Sequence, residues 1–135
     1  MSTTLTDQDK STLRTAAYGA VSLMAAADAT GKPHKVATNG SLALSSATGL
    51  VGHVLAAKSK DIHLNGKSVA ELADQVLPAL TAAMSLLAKQ DRAEADNFRS
   101  TVLVAVGAAT RTHQGEPSPT LAEMTRKITA ALDAA

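Results

Sequence analysis

The chain has no cysteine and no tryptophan, and its only aromatic residues are Tyr18 and Phe98. Without cysteine there are no disulfides and no thiolate metal sites. With so few aromatics there is no platform for stacking exposed bases. The formal charge of +1 over 135 residues excludes a general attraction to nucleic acid, acidic partners or membrane surfaces. No apolar run approaches the length of roughly 20 residues needed to span a membrane. Met1 to Lys10 is polar and carries Asp7 and Asp9, the opposite of a secretory signal. These absences predict a cytoplasmic protein that engages neither nucleic acid nor membrane.

What fills the gap is alanine, at about a fifth of the residues, within a hydrophobic fraction of 45%. Alanine has the best helical propensity, so the composition favours helix. A chain of this length forms one domain, residues 1–135, and buries roughly two thirds of its unfolded surface. A core of Ala, Leu and Val brings helices close together and leaves little room for a wide pocket.

The helices announce themselves by caps and three-four spacing. Thr6, with Asp9 three residues on, forms a capping box for a first helix whose buried stripe is Leu13, Ala16, Ala17, Ala20, Leu23, Met24 and Ala27. Gly31 ends it and Pro33 opens a second, with Val36, Gly40, Ala43, Leu44, Ala47, Val51, Val54 and Leu55 on one face. Asn39-Gly40, a strong turn dipeptide, is an alternative early end for this helix. A polar linker follows from Lys58 to Lys67. Ser68 and Glu71 then form a second capping box ahead of the richest stripe: Val69, Leu72, Ala73, Val76, Leu77, Leu80, Met84 and Leu87. That helix is expected at the centre of the bundle, kinked rather than broken at Pro78, which lies off the stripe. Asp91, Glu94 and Asp96 mark a fourth N-terminus, where negative charge suits the helix dipole. The fourth stripe is Phe98, Val102, Ala105, Val106 and Ala109. Ser118-Pro119 opens a fifth helix, with Leu121, Met124, Ile128 and Leu132 inward and Arg126-Lys127 outward. No stretch alternates as a strand. The fold class read from the sequence is all-α, a bundle of four to five helices.

Few residues group into chemistry. Gly66-Lys67-Ser68 before a helix resembles the end of a phosphate-binding loop, but the opening glycine position holds Asp61 and no apolar strand precedes it. A turn followed by an N-cap explains the same residues. A weaker anion site survives, built from Lys60, Lys67 and Ser68 at a helix N-terminus, with Lys58 and His63 nearby. His34, His53, His63 and His113 show no metal-ligand spacing, and no Glu-x-x-His pair of the di-iron type is present. His53 is expected beside the apolar stripe of the second helix. No Ser-His-Asp order or nucleophile elbow occurs. The sequence therefore assigns no catalytic residue, no metal site and no cofactor.

Two passages echo each other: Leu13 through Ala27-Asp28 and Gly31-Lys32-Pro33 into a second helix, and Phe98 through Thr110-Arg111-Thr112-His113 and Gly115-Glu116-Pro117 into a last one. The echo suggests two duplicated helical hairpins. The Ala27-Asp28 pair with Gly31, and Gly115-Glu116 before Ser118-Pro119, make the pattern similar to the tellurite-resistance, TerB-like helical family. That resemblance covers about two thirds of the chain and implies a helical fold and a stress-related role. Ala29-Thr30 separate the aspartate from the glycine, and Pro33-His34-Lys35 stand where the family has an acid. An ion site would rest on Asp28 alone, far short of the six to eight oxygens calcium prefers.

The functional expectation is a non-enzymatic interaction or scaffold module, a homodimer acting through an apolar helix face, because Leu42, Leu103 and Val104 beside the main stripes give more apolar surface than one small bundle hides. The alternatives are a small-ligand or ion-binding regulator using the loops around Asp28 and Lys67, and an enzyme whose site no local motif reveals.

Overall fold

The computed structural model describes residues 5–27, 43–44, 49–56, 68–110 and 119–134. Among them are five helices and no strand: α1 Asp7–Ala27, α2 Gly49–Ala56, α3 Val69–Gln90, α4 Arg92–Thr110 and α5 Pro119–Asp133.

Helix α1 starts where its capping box dictates. The Thr6 amide donates to Asp9 Oδ2 at 3.1 Å and the Asp9 amide donates to Thr6 Oγ1 at 3.0 Å, so two donors at the helix start are satisfied reciprocally. From Asp9 to Ala25 no residue of α1 is exposed. Burial therefore extends well beyond the apolar stripe of Leu13, Ala16, Ala17, Ala20, Leu23 and Met24. The reason is topological: α1 touches all four other helices.

Helix α3 forms the most extensive pairing with α1 and buries Val76, Leu80, Ala83, Met84 and Leu87. The expected central place of the Ser68–Lys89 helix is thus shared, with α1 and the Arg92–Thr110 helix α4 each reaching all the other described helices. Helix α3 continues through Pro78, whose ring is exposed. The missing amide at position 78 leaves the Asp74 carbonyl without its helical donor on a solvent-facing side.

A single residue joins α3 to α4. The Asp91 amide donates to the Leu87 carbonyl at 2.7 Å, closing α3, while Asp91 Oδ1 accepts from the Ala93 amide at 3.0 Å, opening α4. Its backbone is extended (φ −159°, ψ 105°), which stops one helix and frees the carboxylate to cap the next. Phe98, Val102, Ala105 and Val106 of α4 and Leu121, Met124, Ile128 and Leu132 of α5 are buried, and Arg126 and Lys127 are exposed, as their spacing predicts.

Helix α2 departs from expectation. Ala43 and Leu44 are helical, but Gly49 adopts a φ of +74°. A right-handed helix does not run through a left-handed residue, and glycine is the residue that takes this conformation without steric cost. The single helix expected from Pro33 to Leu55 is therefore interrupted at Gly49. The other proposed break, Asn39-Gly40, lies outside the described residues.

Four helices, α1, α3, α4 and α5, touch one another in every pairing, whereas α2 touches only α1 and α4. The bundle is thus a four-helix unit with a short helix laid on one side. The hairpin loops that suggested duplication, Asp28–Lys35 and Arg111–Ser118, lie outside the described residues.

Candidate functional site

Three polar side chains, Arg14, Tyr18 and Thr81, reach carbonyls at the ends of neighbouring helices. Arg14 and Tyr18 lie one turn apart on α1 and so face the same way. Arg14 Nε donates to the Val54 carbonyl at 3.0 Å, and Tyr18 Oη donates to the Leu55 carbonyl at 2.7 Å. Both acceptors belong to the last turn of α2, where carbonyls have no intrahelical partner. The Arg14 guanidinium also places positive charge at the negative end of the α2 dipole. Arg14 is buried, so a carbonyl deprived of it would lose a donor in a place with little water. Burial raises the Tyr18 phenol above its ordinary range, with Arg14 pulling it back in part, and the phenol keeps the proton it donates.

The opposite end of α2 meets α4. An added Cβ on Gly49 would lie 3.1 Å from Glu94 Oε1 and 3.4 Å from Asn97 Nδ2. The Glu94 carboxylate therefore stands at the positive end of α2. Charge matches dipole at both ends of this eight-residue helix.

Helix α5 is held in a related way. Thr81 Oγ1 of α3 donates to the Ala131 carbonyl at 2.7 Å. Arg99 of α4 grips Asp133 with two bonds, Nε to Oδ1 at 2.8 Å and Nη2 to Oδ2 at 3.3 Å. This pairing holds the Asp133 carboxyl below its ordinary value and raises Arg99 above its own.

Of the expected anion site, Lys60 and Lys67 lie outside the described residues. Ser68 is in extended backbone (φ −136°, ψ 166°), and its hydroxyl accepts from the Glu71 amide at 3.2 Å. It acts as the N-cap of α3, with the acidic Glu71 in the first turn. Asp28, His34, His63 and His113 also lie outside the described residues. His53 is exposed, not beside the apolar stripe as expected, because Val54 and Leu55 take the inward positions. Among the described residues no three His, Asp or Glu side chains come together as a metal site would need.

Two surface features remain. A cleft of about 430 Å³ runs between α1 and α3, lined by Gln8, Ser11, Thr12, Thr15, Gln75 and Ala79. Its lining is uncharged, and Thr12 Oγ1 donates to the Gln8 carbonyl of its own helix at 3.0 Å. On α4, Val104 is 56% exposed, beside the half-buried Leu103. Leu42, the third surplus apolar residue, lies outside the described residues. No helix among the described residues is long and apolar enough to cross a membrane.

The inward-reaching donors Arg14, Tyr18 and Thr81 escaped the sequence reading because their acceptors are 40, 37 and 50 residues away. A signal was present all the same. Arg14 and the lone tyrosine sit at i and i+4 beside a stripe of alanines, where long side chains reach past small neighbours.

No protein-family model, no curated protein and no solved structure matches this chain.

Proposed function

We propose that this protein is a non-enzymatic helical interaction module that self-associates through the outer face of α4. The observation that carries this reading is Val104, the large apolar side chain left exposed among the described residues, with Leu103 beside it. The employment of Arg14, Tyr18 and Thr81 in joining helices supports it further, since these side chains serve architecture. One exposed valine with a half-buried leucine offers a small patch, so the association is weak and concentration-dependent. The reading places the homodimer in the cytoplasm. It takes the TerB-like resemblance, and the stress-related role that comes with it, at the level of helical architecture.

Light scattering over a concentration series tests the proposal. The average mass should rise toward that of a dimer in the wild type and stay monomeric in Val104→Glu, with helicity unchanged. A wild-type protein that stays monomeric at the highest concentration, or a variant that associates equally well, overturns it.

A second reading, a regulator that binds a small ligand, is favoured by the neutral cleft between α1 and α3. Its hydroxyls and amides suit an uncharged polar ligand better than an ion. Such a ligand would bind the native state alone and raise the melting temperature, whereas phosphate, nucleotides and divalent ions would leave it unmoved if this cleft is the site.

A further inference from the structure

We infer that α2 is a latched flap: residues 49–56 come away from α1 and α4 as a unit while the other four helices stay packed. The inference is independent of the self-association proposed for α4.

The packing separates the two parts. Among the described helices, α1, α3, α4 and α5 touch in all pairings, and α2 adds contacts to α1 and α4 alone. Removing α2 breaks none of the contacts that hold the other four together. At eight residues, α2 is too short to hold its helical shape in water without tertiary support. Its support is of two kinds. Val54 and Leu55 are buried, and side chains of the surfaces that the helix covers bond its last turn and stand near its first residue. Arg14 and Tyr18 hold the Val54 and Leu55 carbonyls, while Glu94 and Asn97 stand against Gly49. The Arg14 and Tyr18 bonds exchange their partners for water when α2 lifts, so each contributes a modest net amount to closure. Lifting uncovers a guanidinium, a phenol, a carboxylate and an amide along one side of the four-helix unit. Proteins open in cooperative pieces of this kind at free energies below that of global unfolding.

Amide hydrogen exchange on the intact protein tests the inference. In the wild type the amides of His53 to Ala56 should exchange at least tenfold faster than those of Leu80 to Leu87 in α3. Their exchange should hardly respond to low urea, because opening a short helix exposes little surface.

Two mild variants distinguish the flap from a general weakness. Ile128 is buried in α5, which has no contact with α2. Ile128→Val should speed α3 exchange about two- to tenfold and leave α2 exchange unmoved, because the open form keeps the damaged contact. Tyr18→Phe removes a latch that both the open and the unfolded states lack, so it should speed α2 and α3 exchange by the same factor, about five- to tenfold. If α2 accelerates with α3 in Ile128→Val, or matches α3 in rate and urea response in the wild type, the flap is overturned. If Tyr18→Phe leaves α2 exchange unchanged, the latch is overturned.

Discussion

The Thr81 hydroxyl of α3 donates to the Ala131 carbonyl in the last turn of α5 at 2.7 Å, and it does across that helix pair what Tyr18 does for Leu55 across α1 and α2. Both contacts place a side-chain donor on a carbonyl in the last turn of a helix, where the regular i to i−4 bonding runs out. They require helices close enough for a threonine to span the gap, which the alanine-rich faces allow. Ala16, Ala17 and Ala20 on α1, Ala83 on α3 and Ala105 on α4 are all buried. The alanine-rich faces thus have a structural counterpart: polar side chains that reach carbonyls at the ends of neighbouring helices take over part of the joining done elsewhere by aromatic packing.

Thr81→Val keeps the shape of the side chain and deletes its hydroxyl. The Ala131 carbonyl also receives the Ala134 amide, at a longer 3.4 Å, so it is not left without a donor. The expected loss is about 0.5–1.5 kcal/mol in a urea titration, with an unchanged slope. A variant as stable as the wild type would mean that this bond adds nothing beyond what water supplies.

Gly49→Ala should destabilise on two independent grounds. The backbone there has a φ of +74°, and the new Cβ would meet Glu94 Oε1 at 3.1 Å. Left-handed backbone costs an L-residue about 1–2 kcal/mol, and the carboxylate must shift as well. Thermal unfolding read by circular dichroism should show a lowered midpoint. A midpoint at or above the wild-type value would contradict the left-handed conformation, because alanine at an ordinary helical position stabilises relative to glycine.

Features fixed by local spacing were legible in the sequence, and features fixed by distant partners were not. Thr6 with Asp9, Ser68 with Glu71, and the α5 stripe of Leu121, Met124, Ile128 and Leu132 depend on residues within a turn or two, and the structure matches each. The interruption at Gly49 was invisible because Leu44, Val54 and Leu55 all fit one apolar face, and periodicity carries no information about a single φ. The hub position of α1 was missed for a related reason. Ser11, Thr12, Thr15 and Ser22 lie off the apolar stripe, yet none is exposed. Ser22 Oγ, for one, donates to the Tyr18 carbonyl of its own helix at 3.0 Å, which lets a hydroxyl enter a helix-helix contact at small cost. For the anion site the sequence identified the cap role of Ser68, whereas Lys60 and Lys67 fall outside the described residues.

Leu80→Ala tests the centre of the bundle. Leu80 is fully buried in the helix that pairs most extensively with α1. Truncation removes apolar contacts and leaves a cavity, for an expected cost of about 2–5 kcal/mol. In a chain of this size that is a large share of total stability. A denaturation midpoint within error of the wild type would place Leu80 outside the core.

The Arg99–Asp133 pair predicts a pH response of definite sign. Its two bonds hold the Asp133 carboxyl below its ordinary value in the folded protein. A carboxyl depressed by folding contributes stability that is complete above its unfolded pKa, about 3.9, and fades as pH falls through the lower folded value. The contribution is therefore full at neutral pH and is lost as acid protonates the carboxyl. Both partners face solvent, so salt screens the attraction. An NMR titration of the Asp133 side chain should give a midpoint below that of a free aspartate at low salt. The midpoint should move back toward the ordinary value in 1 M salt, and in Arg99→Gln at any salt. An unshifted midpoint in the wild type would mean that the pair does not persist in solution, and the tie between α4 and the end of α5 would be lost with it.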